Sequence, residues 1–165
     1  MINRILYATD LGLYGPYLIE QVAVLVQSTG AVVDLLHVVE PMGLFAESVI
    51  DSFMPEKEKE YLRNKGLTEI IEKIRLQVID TLKSEYANSL KLINLDKVII
   101  EVGEPSKVIL QQSVVAHYSL IIIAGHSQHD CGGGVLGIVA ERVLKESKIP
   151  VYVLPRVSLD DIDRG

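Results

Sequence analysis

Residues 98–127 form a pattern typical of two parallel strands joined by a helix, and they read VIIEVGEPSKVILQQSVVAHYSLIIIAGHS. The predicted strand Val98 to Val102, apolar except for Glu101, ends at the break Gly103-Glu104-Pro105, after which a helical pattern extends from Ser106 to about His117. The next run, Leu120 to Ala124, is apolar at every position. Strands without alternating polar residues are typical of parallel sheets whose two faces are both covered.

The same alternation continues toward both ends of the chain. Three further strands are predicted, at Ile5 to Thr9, Ala31 to Val39 and Pro150 to Leu154. A helix that ends at Gly30 follows the first strand, and a long helix is predicted from about Glu58 to Tyr86. The last helix has a predicted core face of Leu136, Val139, Val143 and Leu144. Five strands that alternate with helices predict an α/β fold, a doubly wound parallel sheet.

Length and composition indicate one globular domain. The chain has 165 residues, and no repeat or linker divides it, so we expect a domain at 1–155 and a polar tail at 156–165. The 22 acidic and 16 basic residues give a net charge of -6, which disfavours binding to nucleic acid. We expect a cytoplasmic protein without a membrane contact, because no apolar run is long enough to cross a bilayer, no secretory signal is visible and Cys131 is the single cysteine.

Ligands of doubly wound sheets bind beyond the carboxyl ends of the strands, where the strand order reverses. Four residues follow the predicted strands directly: Asp10, Glu40, Gly103 and Gly125. These positions are therefore the first candidates for a binding site.

Five segments resemble the universal stress protein family. They are RILYATD (4–10), LLHVVEP (35–41), VGEPSKVIL (102–110), IIIAGHS (121–127) and LGIVAERVLKESKIPVYVLP (136–155), of which the last is the most specific. The resemblance implies a Rossmann-like sheet of order 3-2-1-4-5 with helices on both faces. It also implies a homodimer with a non-catalytic role in stress endurance.

Family members that bind ATP share a glycine motif, Gly, two residues, Gly, nine residues, Gly and then Ser or Thr. Gly125 matches the first position, whereas Gln128 replaces the second glycine. Gly137 lies twelve residues after Gly125, where the motif requires thirteen, and Ile138 replaces the hydroxyl residue. Asp130 adds negative charge, so the motif is incomplete and ATP binding is expected to be weak.

Other features still favour a nucleotide such as ATP or AMP. Asp10 matches the position that holds adenine or ribose in nucleotide-binding relatives, and glycine backbone near a helix N-terminus can bind an anion. The candidate pocket comprises Ala8, Asp10, Val38, Gly125, Gly132, Gly133, Gly134, Gly137 and Ile138, with Val39 as a second candidate wall residue. Tight ATP binding, weak binding of ATP or another ligand, and no nucleotide binding all remain open.

Three further motifs in the loop after the fourth strand are weaker. Gly132, Gly134 and Gly137 fit the spacing of a dinucleotide fingerprint but do not follow a strand directly. Ser127 resembles a nucleophile in a strand-to-helix turn, although His129 stands where the closing glycine belongs. A metal is possible chemically at the cluster His126, His129, Asp130 and Cys131, but a polar loop with a free thiol is the simpler interpretation.

Two more histidines have structural interpretations. His37 lies in a predicted strand, where a packed or hydrogen-bonded imidazole is expected, and His117 is expected at the surface near a helix C-terminus.

We expect a non-catalytic binding or regulatory module. The alternative is a universal stress protein that binds ATP or AMP with slow or no ATPase activity. The strand Val151 to Leu154 is expected to pair two subunits, with Tyr152 or Leu154 at the interface, because an exposed sheet edge invites pairing. The apolar segment Phe45 to Met54, within Pro41 to Pro55, is expected to form a lid or a surface for a protein partner.

Overall fold

A computed structural model describes residues 1–12, 14–40, 51–61, 67–126 and 136–155. The strands are β1 (Arg4–Ala8), β2 (Val32–Val39), β3 (Leu95–Val102), β4 (Leu120–Ala124) and β5 (Val151–Leu154). The helices are α1 (Gly15–Thr29), α2 (Glu56–Tyr61), α3 (Leu67–Ser84), α4 (Ala87–Leu90), α5 (Pro105–Val115) and α6 (Ile138–Glu146). Within these ranges, no helix combines the length and the apolar composition that crossing a membrane requires.

The five strands form one sheet in the order β3-β2-β1-β4-β5, and every neighbouring pair is parallel. This confirms the predicted doubly wound topology. The chain proceeds outward from β1 to β3 and then returns to β4 on the other side of β1. The strand order therefore reverses between β1 and β4, and the carboxyl ends of these two strands define the switch point.

Alternating residues of the strands form two hydrophobic clusters, one on each face of the sheet. On one face, Ile5 and Tyr7 of β1 pack with apolar residues of α1 and α3 and with Tyr86. On the other face, Leu6 and Ala8 pack with Ile109 of α5 and Val143 of α6. The central strands β1 and β4 are thus buried on both faces, which explains the apolar runs Ile5 to Ala8 and Leu120 to Ala124.

Some predicted boundaries differ from the structure. Strand β3 begins at Leu95 rather than Val98, since an edge strand tolerates the polar residues Asp96 and Lys97 that obscured its start. Helix α3 ends at Ser84, and α4 is a separate short helix after Tyr86.

The predicted core face of the last helix needs one correction. Val143 is fully buried, but Leu144 is exposed, because adjacent helical residues point in directions about 100° apart. Val139 packs partly against the same cluster as Val143.

A buried ionic network connects the amino ends of β1 and β2. Asp34 is only 1% exposed, and its carboxylate accepts hydrogen bonds from the Arg4 guanidinium at 2.8 to 3.0 Å and from the Tyr118 hydroxyl at 2.6 Å. Arg4 also contacts Asp96 at 2.6 Å. Burial and the adjacent Asp34 carboxylate raise the pKa of Tyr118.

Candidate functional site

A cavity of about 350 Å³ lies at the switch point, beyond the carboxyl ends of β1, β2 and β4. Its volume falls in the range of pockets that enclose small ligands. Most of its wall is apolar, from Ala8, Leu36, Val38, Val39, Pro105, Ile109, Ile123, Ala124, Val139 and Ala140. The remaining lining residues are Thr9, Asp10, His37, Glu40, Gly125 and His126.

The loop after β1 places Asp10 at the cavity. The Thr9 amide donates to the Leu36 carbonyl at 2.9 Å, which extends the pairing of β1 with β2 by one residue. The Leu11 amide then donates to Thr9 Oγ1 at 3.1 Å, and the Gly12 amide donates to Asp10 Oδ1 at 3.0 Å. Leu11 adopts a positive φ of 55°, which an ordinary residue does only when its surroundings require it. The chain therefore turns sharply here, and the turn orients the Asp10 carboxylate.

Tyr86 anchors this loop from the other side. Its hydroxyl is buried and donates to the Gly12 carbonyl at 2.8 Å, which also accepts from the Gly15 amide at 2.8 Å. A Cβ added at Gly15 would lie 1.9 Å from Tyr86 Oη, so only glycine permits this close approach. Burial, and then the negative charge of Asp10, raise the pKa of Tyr86 to about 12.

His37 is held by the same loop. Its Nδ1 lies 3.0 Å from the Thr9 carbonyl oxygen, so Nδ1 carries the proton and donates to that oxygen. This confirms the interpretation of His37 as a hydrogen-bonded strand histidine. The sequence did not show that its half-buried imidazole also lines the cavity.

Two glycines join the end of β4 to the start of α6. The Gly125 amide donates to the Leu154 carbonyl at 2.9 Å, and the Gly137 amide donates to the Gly125 carbonyl at 2.7 Å. A Cβ at Gly125 would lie 3.1 Å from the Leu154 oxygen, so this backbone contact leaves little space for a side chain. The N-terminus of α6 is thereby fixed beside the cavity.

The charged residues that line the cavity are acidic. Asp10 and Glu40 are both exposed at its edge, and the described lining residues include no lysine or arginine. Nearby, Glu104 accepts from Arg142 Nη1 at 2.7 Å and from Lys107 at 2.9 Å. A hydrogen bond from the Ser106 hydroxyl, and then the one from Lys107, lower the pKa of Glu104. Arg142 and Lys107 are therefore both paired with Glu104.

The structure brings together four of the predicted pocket residues, since Ala8, Asp10, Val38 and Gly125 all line the cavity. Gly137 contacts Gly125, as described above. Ile138 does not line the cavity, because it is the first residue of α6 and its side chain is 78% exposed. The remaining predicted loop residues lie outside the described part of the chain: Ser127, Gln128, His129, Asp130, Cys131, Gly132, Gly133 and Gly134.

Several wall residues were not predicted from the sequence. Glu40 was noted only for its position after a strand, and Pro105 and Ile109 of α5 carried no signal of ligand binding. Pro105 in the break after β3 was the available clue, because it begins α5 and so places the N-terminus of that helix at the carboxyl edge of the sheet.

Other sequence expectations have mixed outcomes. Within the described ranges, no group of three His, Cys, Asp or Glu side chains is arranged to hold a metal ion, and three of the four predicted metal ligands lie outside those ranges.

His117 is exposed just after α5, as expected. In the predicted partner segment, Phe53 is exposed and Met54 half-buried, whereas residues 45–50 lie outside the described part.

Comparisons with known proteins agree with the topology. The family model described as "Universal stress protein family" matches residues 1–155. The chain is similar to the solved structure of the hypothetical protein MJ0577, with 28% identity, a TM-score of 0.65 and coverage of 96% of this chain and 99% of that one. A search of curated protein sequences gives no significant match.

Two more distant structures are similar in fold. One is universal stress protein UspA from Lactobacillus plantarum, with 15% identity, a TM-score of 0.69 and coverage of 93% of this chain and 97% of that one. The other is a universal stress protein in complex with cAMP, with 12% identity, a TM-score of 0.56 and the same coverage. Since the family model spans nearly the whole length and the sheet has the matching strand order, this chain belongs to the universal stress protein family.

Proposed function

We propose that the protein is a non-catalytic binding and regulatory module of the stress response, and that its cavity holds the adenosine part of a nucleotide-type ligand. The observation that carries this proposal is the cavity at the switch point, with Asp10 fixed at its edge. A universal stress protein of similar fold has been solved with cAMP, which contains an adenosine group.

The walls have the chemistry that a nucleoside needs. Apolar side chains such as Val38, Ile109 and Ile123 bury the faces of a flat base, and the few polar groups orient it. The Asp10 carboxylate has acceptor oxygens of the kind that ribose hydroxyls bind, and the hydrogen bond from the Gly12 amide holds this group at the cavity edge.

A pocket-filling substitution tests this role. Val38→Trp places a large ring in the cavity and should abolish binding of AMP, as measured by titration calorimetry. Val24→Trp is the matched control, because Val24 is exposed on α1 and does not line the cavity. Equal affinity in both variants would show that AMP does not bind at the switch point.

The proposal also holds that the module does not turn over its ligand. Phosphoryl transfer requires cationic groups that stabilise the charge developing on the phosphate. The described lining residues contribute two carboxylates instead. Incubation with ATP and Mg²⁺ should release no more phosphate than a Val38→Trp sample, and a clear excess over that variant would identify an ATPase.

We propose in addition a cytoplasmic homodimer formed through β5. This strand lies at the sheet edge, and Tyr152 is 47% exposed there. Leu154 is no longer a candidate for the interface, because it is 1% exposed and packs in the core of its own subunit. Sedimentation equilibrium at micromolar concentration should give twice the chain mass of 18.3 kDa, and Tyr152→Asp should shift the population toward monomer. A monomer in the unmodified protein would refute the dimer.

A further inference from the structure

We propose that Tyr86 is a positioning residue for the cavity and acts on it from the core on one face of the sheet. Tyr86 fixes the loop between β1 and α1, and through that loop it sets the orientation of Asp10 and the affinity for the ligand. The effect on affinity rests on the proposed function, whereas the conformation of the loop can be measured without a ligand.

Tyr86 contacts the loop from outside the cavity. Its side chain is 1% exposed, and it packs with apolar residues of α1 and α3 instead of lining the cavity. Its hydroxyl donates to the Gly12 carbonyl at 2.8 Å, and the amide of the same Gly12 donates to Asp10 Oδ1 at 3.0 Å. Gly12 therefore connects the buried tyrosine with the carboxylate at the cavity edge.

The loop needs support because its turn is not a conformation that its residues prefer. Leu11 has a φ of 55°, which is uncommon for a residue with a side chain and persists only where the surroundings stabilise it. If the loop moved, the Tyr86 hydroxyl would lose its acceptor inside the core, where an unpaired donor is unfavourable. The buried hydrogen bond therefore favours the turn that places Asp10 at the cavity.

His37 also holds this loop, since its Nδ1 donates to the Thr9 carbonyl at 3.0 Å. The carbonyls of Thr9 and Gly12, which His37 and Tyr86 hold, lie on either side of Asp10 along the chain. His37 itself lines the cavity, so replacing it would remove a wall residue together with the support of the loop. Tyr86 does not line the cavity, so its hydroxyl can be removed without changing the wall.

Tyr86→Phe tests the inference, because it removes the hydroxyl and keeps the ring. Hydrogen exchange measured by NMR should be about fivefold faster at the amides of Gly12 and Gly15, since the loss of one neutral hydrogen bond corresponds to a factor of this size. Titration calorimetry should show AMP binding that is about fivefold weaker, because the loop then spends more time in conformations that do not present Asp10 to the ligand.

Tyr118→Phe is the matched control. Tyr118 is also a buried tyrosine, but its hydroxyl donates to Asp34 at 2.6 Å at the opposite, amino end of the strands. Its loss should lower stability at least as much, because the acceptor is a carboxylate. AMP affinity and the exchange at Gly12 should nevertheless change less than about twofold, since the two sites share no partner. Gly15→Ala, whose new Cβ would lie 1.9 Å from Tyr86 Oη, should reproduce the effect of Tyr86→Phe and replaces that variant if it does not fold.

The possible outcomes separate the role of Tyr86 from the proposed function. Unchanged exchange at Gly12 and Gly15 in Tyr86→Phe would overturn the inference, whether or not AMP binds. Faster exchange with unchanged AMP affinity would also overturn it, because Tyr86 would then have a purely structural role. If the unmodified protein does not bind AMP, the proposed function is wrong, and the exchange rates alone decide whether Tyr86 fixes the loop.

Discussion

Replacing Asp34 with asparagine should destabilise the protein by about 3 kcal/mol, because an amide cannot replace the buried carboxylate between Arg4 and Tyr118. Removing one partner of a buried ion pair typically costs about 3–5 kcal/mol. We expect the lower end of this range, since the Arg4 side chain is 31% exposed and keeps its contact with Asp96. For a domain of this size, the loss corresponds to a fall in Tm of about 6–12 °C.

Urea unfolding monitored by circular dichroism measures this loss directly. Asp96→Asn is the control, because Asp96 is 45% exposed and exposed ion pairs contribute about 1 kcal/mol or less. Asp34→Asn should therefore lower the unfolding midpoint clearly more than Asp96→Asn, with an unchanged slope in both variants. Equal losses in the two variants would refute the reasoning, since Asp34 would then contribute no more than a surface charge.

Gly15→Ala should lower the free energy of unfolding by about 1–3 kcal/mol in the same assay, because the new Cβ would lie 1.9 Å from Tyr86 Oη and must displace that ring. An unchanged unfolding midpoint would contradict this close packing. Burial raises the pKa of Tyr86 to about 12 and also raises those of Tyr7 and Tyr118, so the unfolded chain loses these protons first, and stability should decline as the pH rises above about 10. Urea unfolding midpoints that stay level between pH 10 and 12 would exclude this linkage. Ile138→Ser should strengthen ATP binding by about tenfold at most, because a hydrogen bond to a charged phosphate contributes about 1.5–3 kcal/mol and this position is largely exposed. A hundredfold gain in affinity, measured by calorimetry, would show instead that residue 138 contacts the bound phosphate.

The sequence predicted most strands and helices because the apolar patterns that identify them extend over only a few neighbouring residues. Continuous apolar runs such as Leu120 to Ala124 identify strands buried on both faces, and the alternation with helices leads to a parallel sheet. Gly30 marked the end of α1, and its left-handed φ of 66° confirms why glycine is there. The predicted start of the edge strand β3 was three residues too late, because the exposed residues Asp96 and Lys97 interrupt the apolar pattern there.

The candidate site was predicted only in part. Residues that follow strands directly, such as Asp10 and Gly125, were found because topology alone places them at the switch point. Ile138 was expected in the candidate pocket from its place in a motif, yet it is the first residue of α6, is largely exposed and does not line the cavity. A motif specifies an order of residues along the chain, and the direction of each side chain depends on where the helix begins.

The amino-acid sequence by itself determined which segments become strands and helices, and hence the class of sheet, because hydrophobic periodicity acts over a few neighbouring residues. Only the tertiary structure decided which distant residues meet. The bond from Tyr86 to the Gly12 carbonyl spans 74 positions and that from Tyr118 to Asp34 spans 84. No pattern of neighbouring residues indicates such hydrogen bonds, because their partners come together only when the chain packs around the sheet, where buried polar groups need hydrogen-bond partners.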